Sequence, residues 1–481
     1  MVSDVLNIPR SIMATADLSA PLRQGVFFVR RQKQFAPAFR DMFKHAFNQK
    51  SYDGLMKRIS NMENYKLMRD SKLSFTDLGV DLSHREERFM SNIVEKIPVL
   101  GRVSKGSNRA YTGFLNQLRA DVFDSMINSA RKQGIDIDGK IGTDIANYVN
   151  AATGRGRLGK HGEAIAPLLN GALFSPRLVA SRLELLGKPF NPKFYIKQNA
   201  FIRKEYLKDL TGFLGIGGLI LSLASLSPDI DVNLDPNNAD FGKIKVGNTR
   251  YDIWGGFQQY VVLMSRMASG KTTSSTTGRE FTLNEGGYKP TTRVDIALRS
   301  LRFKESPVAS FFHGLVTGKT AIGKDFNTSP EIVDRMIPMI TQDFYDLMVE
   351  DGIIGATKAV PSVFGTGVQN YGKQIPVEGL TPSGKKNVKF RPQATLGEVL
   401  VNKATGRKLT TIPESEHEKL RQEKETKAAS RYEIRKAKKR VLETGEPETK
   451  NGIYIYLDDG EVKTRKTGRR KRRKRRTRRT R

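Results

Sequence analysis

Apolar residues recur along the first two hundred positions at the spacing of a helical face. Residues 34–50 place Phe35, Phe39, Met42, Phe43, Ala46 and Phe47 on one stripe. Residues 86–97 repeat the pattern with Phe89, Met90, Ile93, Val94 and Ile97, and Pro98 should stop that helix. Residues 108–132 line up Tyr111, Phe114, Leu115, Leu118, Val122, Met126 and Ala130, with Ser107 as the expected N-cap and Gly134 as the stop. Further helices fit 176–186 and 195–210. Such aromatic stripes read as core, and no cofactor is expected in them.

Residues 212–227 (GFLGIGGLILSLASLS) carry no charge. A helix of that length spans roughly 24 Å, less than the ~30 Å hydrocarbon core of a bilayer. A buried core helix is the first expectation, and transient membrane contact is the second. The pattern then changes. Residues 229–251 are rich in Asp, Asn, Pro and Gly, and should form loop with a short strand or hairpin. Residues 254–267 return to helix, with Trp254, Phe257, Val261 and Met264 on one face, and 271–290 should be loop.

The best-marked helix runs over 330–350, with Ser329 as cap, Pro330 at its first position, Gly352 past its end and a kink at Pro338. From 372 to 413 periodicity is lost and a linker is expected. Residues 414–444 form a charged helix with few apolar anchors. Residues 453–465 (IYIYLDDGEVKTR) alternate around Asp458, Asp459 and Gly460, a β-hairpin that is marginal by itself. The expected class is therefore mainly α with minor β. Its parts are a helical domain (1–210), an apolar helix (211–228), a second helical domain (229–371), a linker (372–413), a charged helix (414–444), a hairpin (445–467) and a basic tail (468–481).

Composition alters this picture in two ways. There is no cysteine among the 481 residues, which removes disulfides, thiolate metal sites and cysteine nucleophiles. The formal net charge is +32, and residues 463–481 contribute fourteen Lys or Arg with no acid, leaving +18 on the preceding 462. Like charge at this density seeks a polyanion. The candidate contacts are Lys463, Arg465, Lys466, Arg469, Arg470, Lys471, Arg472, Arg473, Lys474, Arg475, Arg476, Arg478, Arg479 and Arg481. Guanidinium pairs bidentately with phosphate and is weakly hydrated, so nucleic acid is the expected partner, DNA ahead of RNA. Such contacts hold backbone and carry little sequence information. The first ten residues lack a signal-peptide pattern, so secretion is not expected.

Other chemistry is weakly marked. Three glycine-lysine strings resemble phosphate loops, and each departs from the pattern. Residues 154–161 (GRGRLGKH) lack the hydroxyl residue, 265–272 (SRMASGKT) lack the first glycine, and 314–320 (GLVTGKT) are one residue short. No two of His45, His84, His161, His313 and His417 share a helical face at ligand spacing, so no metal is expected. His45 reads as a surface or boundary residue. Paired acids at Glu86-Glu87 and Asp458-Asp459 are adjacent, which does not suit a general acid and base. No catalytic residue and no cofactor is assigned, and the chain is not read as an enzyme.

Several strings resemble a helical region of tailed-phage proteins. They are 13–25 (MATADLSAPLRQG), 108–121 (NRAYTGFLNQLRAD), 150–156 (NAATGRG), 174–182 (FSPRLVASR), 240–244 (DFGKI) and 249–260 (TRYDIWGGFQQY). That region occurs late in large polyvalent proteins and in virion-associated proteins. The resemblance covers roughly residues 8–365 and not the basic tail. It implies a structural or internal virion protein involved in DNA ejection, located in the virion or the host cytoplasm, with other phage structural proteins as partners and self-association left open. It implies no catalytic residue. Two alternatives remain: a non-virion nucleic-acid-binding factor of replication, packaging or host takeover, and an enzyme of unrecognised type. For the enzyme, residues 240–243 and 252–259 would line a pocket; turn and cap hydrogen bonds are the other account of them.

Overall fold

The computed structural model describes residues 8–13, 17–76, 98–275, 278–285, 291–321, 324–371, 375–380, 386–391, 394–405 and 414–467. The fold is mainly α with minor β. The chain divides into two compact units. One comprises Met1–Gly372 with Ala394–Arg407, the other Lys373–Gln393 with Lys408–Arg481.

In the first unit, helix α1 (Gln32–Phe47) packs along helix α3 (Pro98–Lys132), and helix α2 (Gln49–Ser60) braces both. The aromatic stripe drives this: Phe35, Met42, Phe114, Leu115, Leu118 and Phe123 are buried together. Phe47 does not join them and stands 90% exposed, because the helix ends there and Asn48 caps α2. Helix α4 (Gly139–Ala152) adds Ile145, Tyr148 and Val149, helix α5 (Pro176–Gly187) adds Leu185, and helix α6 (Ala200–Ala224) adds Tyr206 and Phe213. Phe27 ties these together, lying 5.9 Å from Tyr206, 5.8 Å from Phe213 and 6.0 Å from Phe257.

Strands β1 (Ile230–Val232), β2 (Ile244–Val246), β3 (Thr249–Asp252) and β6 (Gly367–Asn370) form an antiparallel sheet in that order. Strands β4 (Lys271–Thr273) and β5 (Glu280–Thr282) make a hairpin inside the segment expected to be loop. Helix α7 (Gln258–Ser269) starts four residues later than expected. Trp254 lies before it, donating from its indole nitrogen to Gly242 O at 2.8 Å.

Several expectations are corrected. Helix α3 begins at Pro98, so Ser107 lies inside it, its hydroxyl donating to Ser104 O at 3.1 Å. Proline is tolerated at a first helical position, where its missing N–H has no partner to lose. The helix expected over 86–97 lies outside the described residues. His45 is buried, 3% exposed, with Nδ1 3.0 Å from Ser51 Oγ. Helix α6 runs unbroken through the expected boundary at 210.

The 330–350 helix is two helices, Thr328–Arg335 and α8 (Met339–Val363). Pro338 sits between them at φ −54°, ψ 136°, and Asn327 rather than Ser329 takes the cap position. Gly352 interrupts α8 at φ 65°, ψ −147°, close to where the stop was expected. The expected linker holds a hairpin, β7 (Ile375–Leu380) with β8 (Lys386–Arg391), and a helix, Leu396–Thr405.

In the second unit, helix α9 (Glu414–Thr444) packs on a three-stranded antiparallel sheet of β9 (Glu448–Lys450), β10 (Ile453–Asp458) and β11 (Glu461–Lys466), with β10 central. The hairpin thus gains a third strand and a helix. Ala437, Val441 and Ile455 are fully buried between them, with Ile434, Ile453 and Val462 packed around.

Candidate nucleic-acid interface

The alternation of β10 decides which side chains face α9 and which face away. Ile453 and Ile455 turn toward the helix, so Tyr454 and Tyr456 stand on the opposite face. Their rings stack on each other, centroids 5.6 Å apart at 26°. Register sets their neighbours: Tyr454 is opposite Arg465, and Tyr456 is opposite Lys463. Residues directly opposite share a face. Two of the candidate cations therefore border an aromatic pair.

Lys463 and Arg465 are exposed on β11, and Lys466 ends that strand. Lys463 Nζ lies 2.6 Å from Asp458 Oδ2, both side chains close to half exposed. An ion pair that open to water is worth little and yields readily to a competing phosphate. Arg469, Arg470, Lys471, Arg472, Arg473, Lys474, Arg475, Arg476, Arg478, Arg479 and Arg481 lie outside the described residues.

Exposed Arg435, Lys436 and Lys439 near the end of α9 belong to the same unit and were not singled out from the sequence. Their run of charge was legible in the sequence. Arg440 is committed elsewhere. Its guanidinium donates to both Glu448 oxygens, at 3.0 and 2.6 Å, and holds that carboxyl below its usual range.

The first unit contains residues 240–243 and 252–259, the strings that the enzyme alternative places around a pocket. Asp240 accepts from Arg250 Nε at 3.2 Å, and Lys243 Nζ donates to Gln369 Oε1 at 2.8 Å. Asp252 accepts from the Trp254 amide at 2.9 Å, and Gln258 Nε2 donates to Ala239 O at 2.9 Å. These are turn, cap and strand-tying bonds. Arg182 is fully buried beneath them, donating to Arg23 O and Gly255 O with its guanidinium 4.0 Å from the Phe257 ring centroid. Burial lowers its pKa to about 10.

Of the glycine-lysine strings, 265–272 and 314–320 fall at helix C-termini, where Gly270 and Gly318 are left-handed caps. Carbonyls point outward there, which repels phosphate. Among the described residues no three of His, Asp and Glu gather as a metal site would require.

The apolar segment is the largest departure from expectation. In α6 only Phe213, Gly217 and Leu221 of residues 212–224 are buried. Leu214, Leu219, Ile220 and Leu223 are exposed, as is Leu226 just beyond. Its mean hydropathy reaches 1.4 over an 18-residue window of which 17% is buried, so length and composition would allow a membrane span.

Compared with protein-family models, curated proteins and solved structures, the chain matches none.

Proposed function

We propose that this protein is a phage virion-associated structural or internal protein, connected with DNA ejection, that holds nucleic-acid backbone through its basic run from Lys463 to Arg481. The carrying observation is that run: fourteen cations and no acid, two of them displayed on β11. Backbone contact releases condensed counterions, which makes binding strong and salt-dependent. The phage assignment rests on the strings between residues 13 and 260.

The test compares the intact chain with one ending at Thr467. Engagement of about eight phosphates gives the intact chain a log–log salt slope of roughly −7 on duplex DNA. The shortened chain should lose most of that slope and elute early from heparin. Equal elution of the two would end the reading. Mass spectrometry of purified particles tests the virion assignment. Finding the protein in infected-cell lysate and not in particles would leave the accessory-factor alternative.

The exposed face of α6 supports a second contact, a transient one with membrane. Leu219→Ser with Leu223→Ser should abolish flotation with zwitterionic vesicles, which offer the basic run no net charge, and leave the fold unchanged, since neither side chain is buried. Flotation equal to that of the intact protein would exclude α6 as the contact.

A further inference from the structure

We infer that the open face of the C-terminal sheet is a stacking platform for unpaired bases, so that the protein grips single-stranded nucleic acid through Tyr454 and Tyr456 while neighbouring cations hold its phosphates. The inference rests on the nucleic-acid reading above and adds what that reading lacks, a preference for strand form. An arginine-rich run by itself reads phosphate, which duplex and single strand both offer.

Four features of the sheet support it. The two rings occupy alternate positions of the central strand, on the face away from α9, and Tyr454 is 38% exposed. Ile455 between them is fully buried against Ala437 and Val441, which anchors the strand and sets its rotation. Arg465 and Lys463 stand directly across from the two rings. Charge is also graded along the hairpin: Asp458, Asp459 and Glu461 cluster at the turn, while Arg465 and Lys466 lie at the end that leads into the basic run. A strand laid across the rings has cations at one end and repulsion at the other, which favours one direction of exit.

The chemistry is general. Every base has a π face, so stacking on an aromatic ring tolerates any sequence, whereas a base paired within a duplex keeps its faces covered by neighbours. Two stacked rings at alternate positions of one strand also stabilise a sheet by packing alone. That account gives no role to bases in binding, and the two readings separate on one ligand.

The experiment uses the intact chain and three labelled twelve-residue probes: single-stranded oligothymidylate, the same length of abasic deoxyribose-phosphate strand, and a duplex. Fluorescence anisotropy at fixed salt should show the thymidine strand bound at least about thirtyfold tighter than the abasic strand, the smaller end of what two stacked bases contribute. Tyr454→Thr with Tyr456→Thr keeps β-forming residues in the strand. It should bring the thymidine strand down to the abasic value and leave abasic and duplex binding unchanged.

Equal binding of base-bearing and abasic strands by the intact protein overturns the inference, whether or not the variant folds. An unchanged thymidine-to-abasic ratio in a folded variant overturns it as well. Failure of the backbone reading looks different: the chain ending at Thr467 would then match the intact chain in salt slope on every probe.

Discussion

Asp209 has no exposed side-chain surface and is held by Arg30 at 2.8 Å, Arg31 Nε at 2.8 Å and the Tyr148 hydroxyl at 2.7 Å. Arg31 also pairs with Glu205 at 2.8 Å. Removing one member of a buried pair strands the other charge, at a cost of about 3–5 kcal/mol. Asp209→Ala should lower the unfolding free energy read from urea denaturation by an amount in that range, and Asp209→Asn by less, since it keeps the shape and an acceptor. A second residue links stability to pH. Burial raises the Asp343 pKa to about 6, against roughly 3.9 for an unfolded aspartate. The folded chain therefore holds that proton more tightly, and its contribution to stability falls as pH rises from 4 to 6. Asp343→Asn should match the parent at pH 4 and exceed it from pH 6 upward, as read from urea midpoints across that range. None of these roles is visible in residue type. An acid in a helical run looks solvated until its partners, up to 179 residues away, are known.

Adjacent glycines show what α6 needs. A Cβ at Gly217 would collide with the Trp254 ring, whereas one at Gly218 meets nothing within 4 Å. Gly217→Ala should cost about 1–3 kcal/mol through overpacking. Gly218→Ala should gain about 0.5–1 kcal/mol by removing unfolded-state freedom. Urea denaturation of the two variants checks both signs. The same feature explains why the start of α3 escaped the sequence reading. Its first turns bury Gly101, Ser104, Gly106 and Ser107. A Cβ on Gly106 would stand 2.9 Å from Ala46 O, so backbones approach closely there. Small residues make that face, and a search for apolar periodicity passes over it. The later turns, where Phe114, Leu115 and Leu118 carry the packing, were legible for the opposite reason.

The two units differ greatly in how much apolar surface they bury. The first has a continuous aromatic and aliphatic core reaching from Ala20 to Phe257, while the described core of the second is Ala437, Val441 and Ile455 with a few half-buried neighbours. Local opening follows buried contacts. Amides of β10 should therefore exchange with deuterium at lower protection than those of α3 between Phe114 and Met126. Nearly equal protection would show that the small core is reinforced by something else. Truncation is constrained too. Ending the chain at residue 462 removes the residues of β11 that pair with Ile453 to Tyr456, and should expose β10 to exchange. Ending it at Thr467 should not.

Helical class, the cysteine-free chemistry and the concentration of positive charge at residues 463–481 were readable from the sequence, because local periodicity and net charge are sums over neighbours along the chain. What covers each face was not. Tertiary structure decided that His45 and Asp209 are inside, that most of the apolar surface of α6 is outside, and that β3 pairs with β6 more than a hundred residues later. It also set Tyr454 and Tyr456 across from Arg465 and Lys463. A pattern shows that a face exists; its partner comes from distant chain, and only the folded register brings the two together.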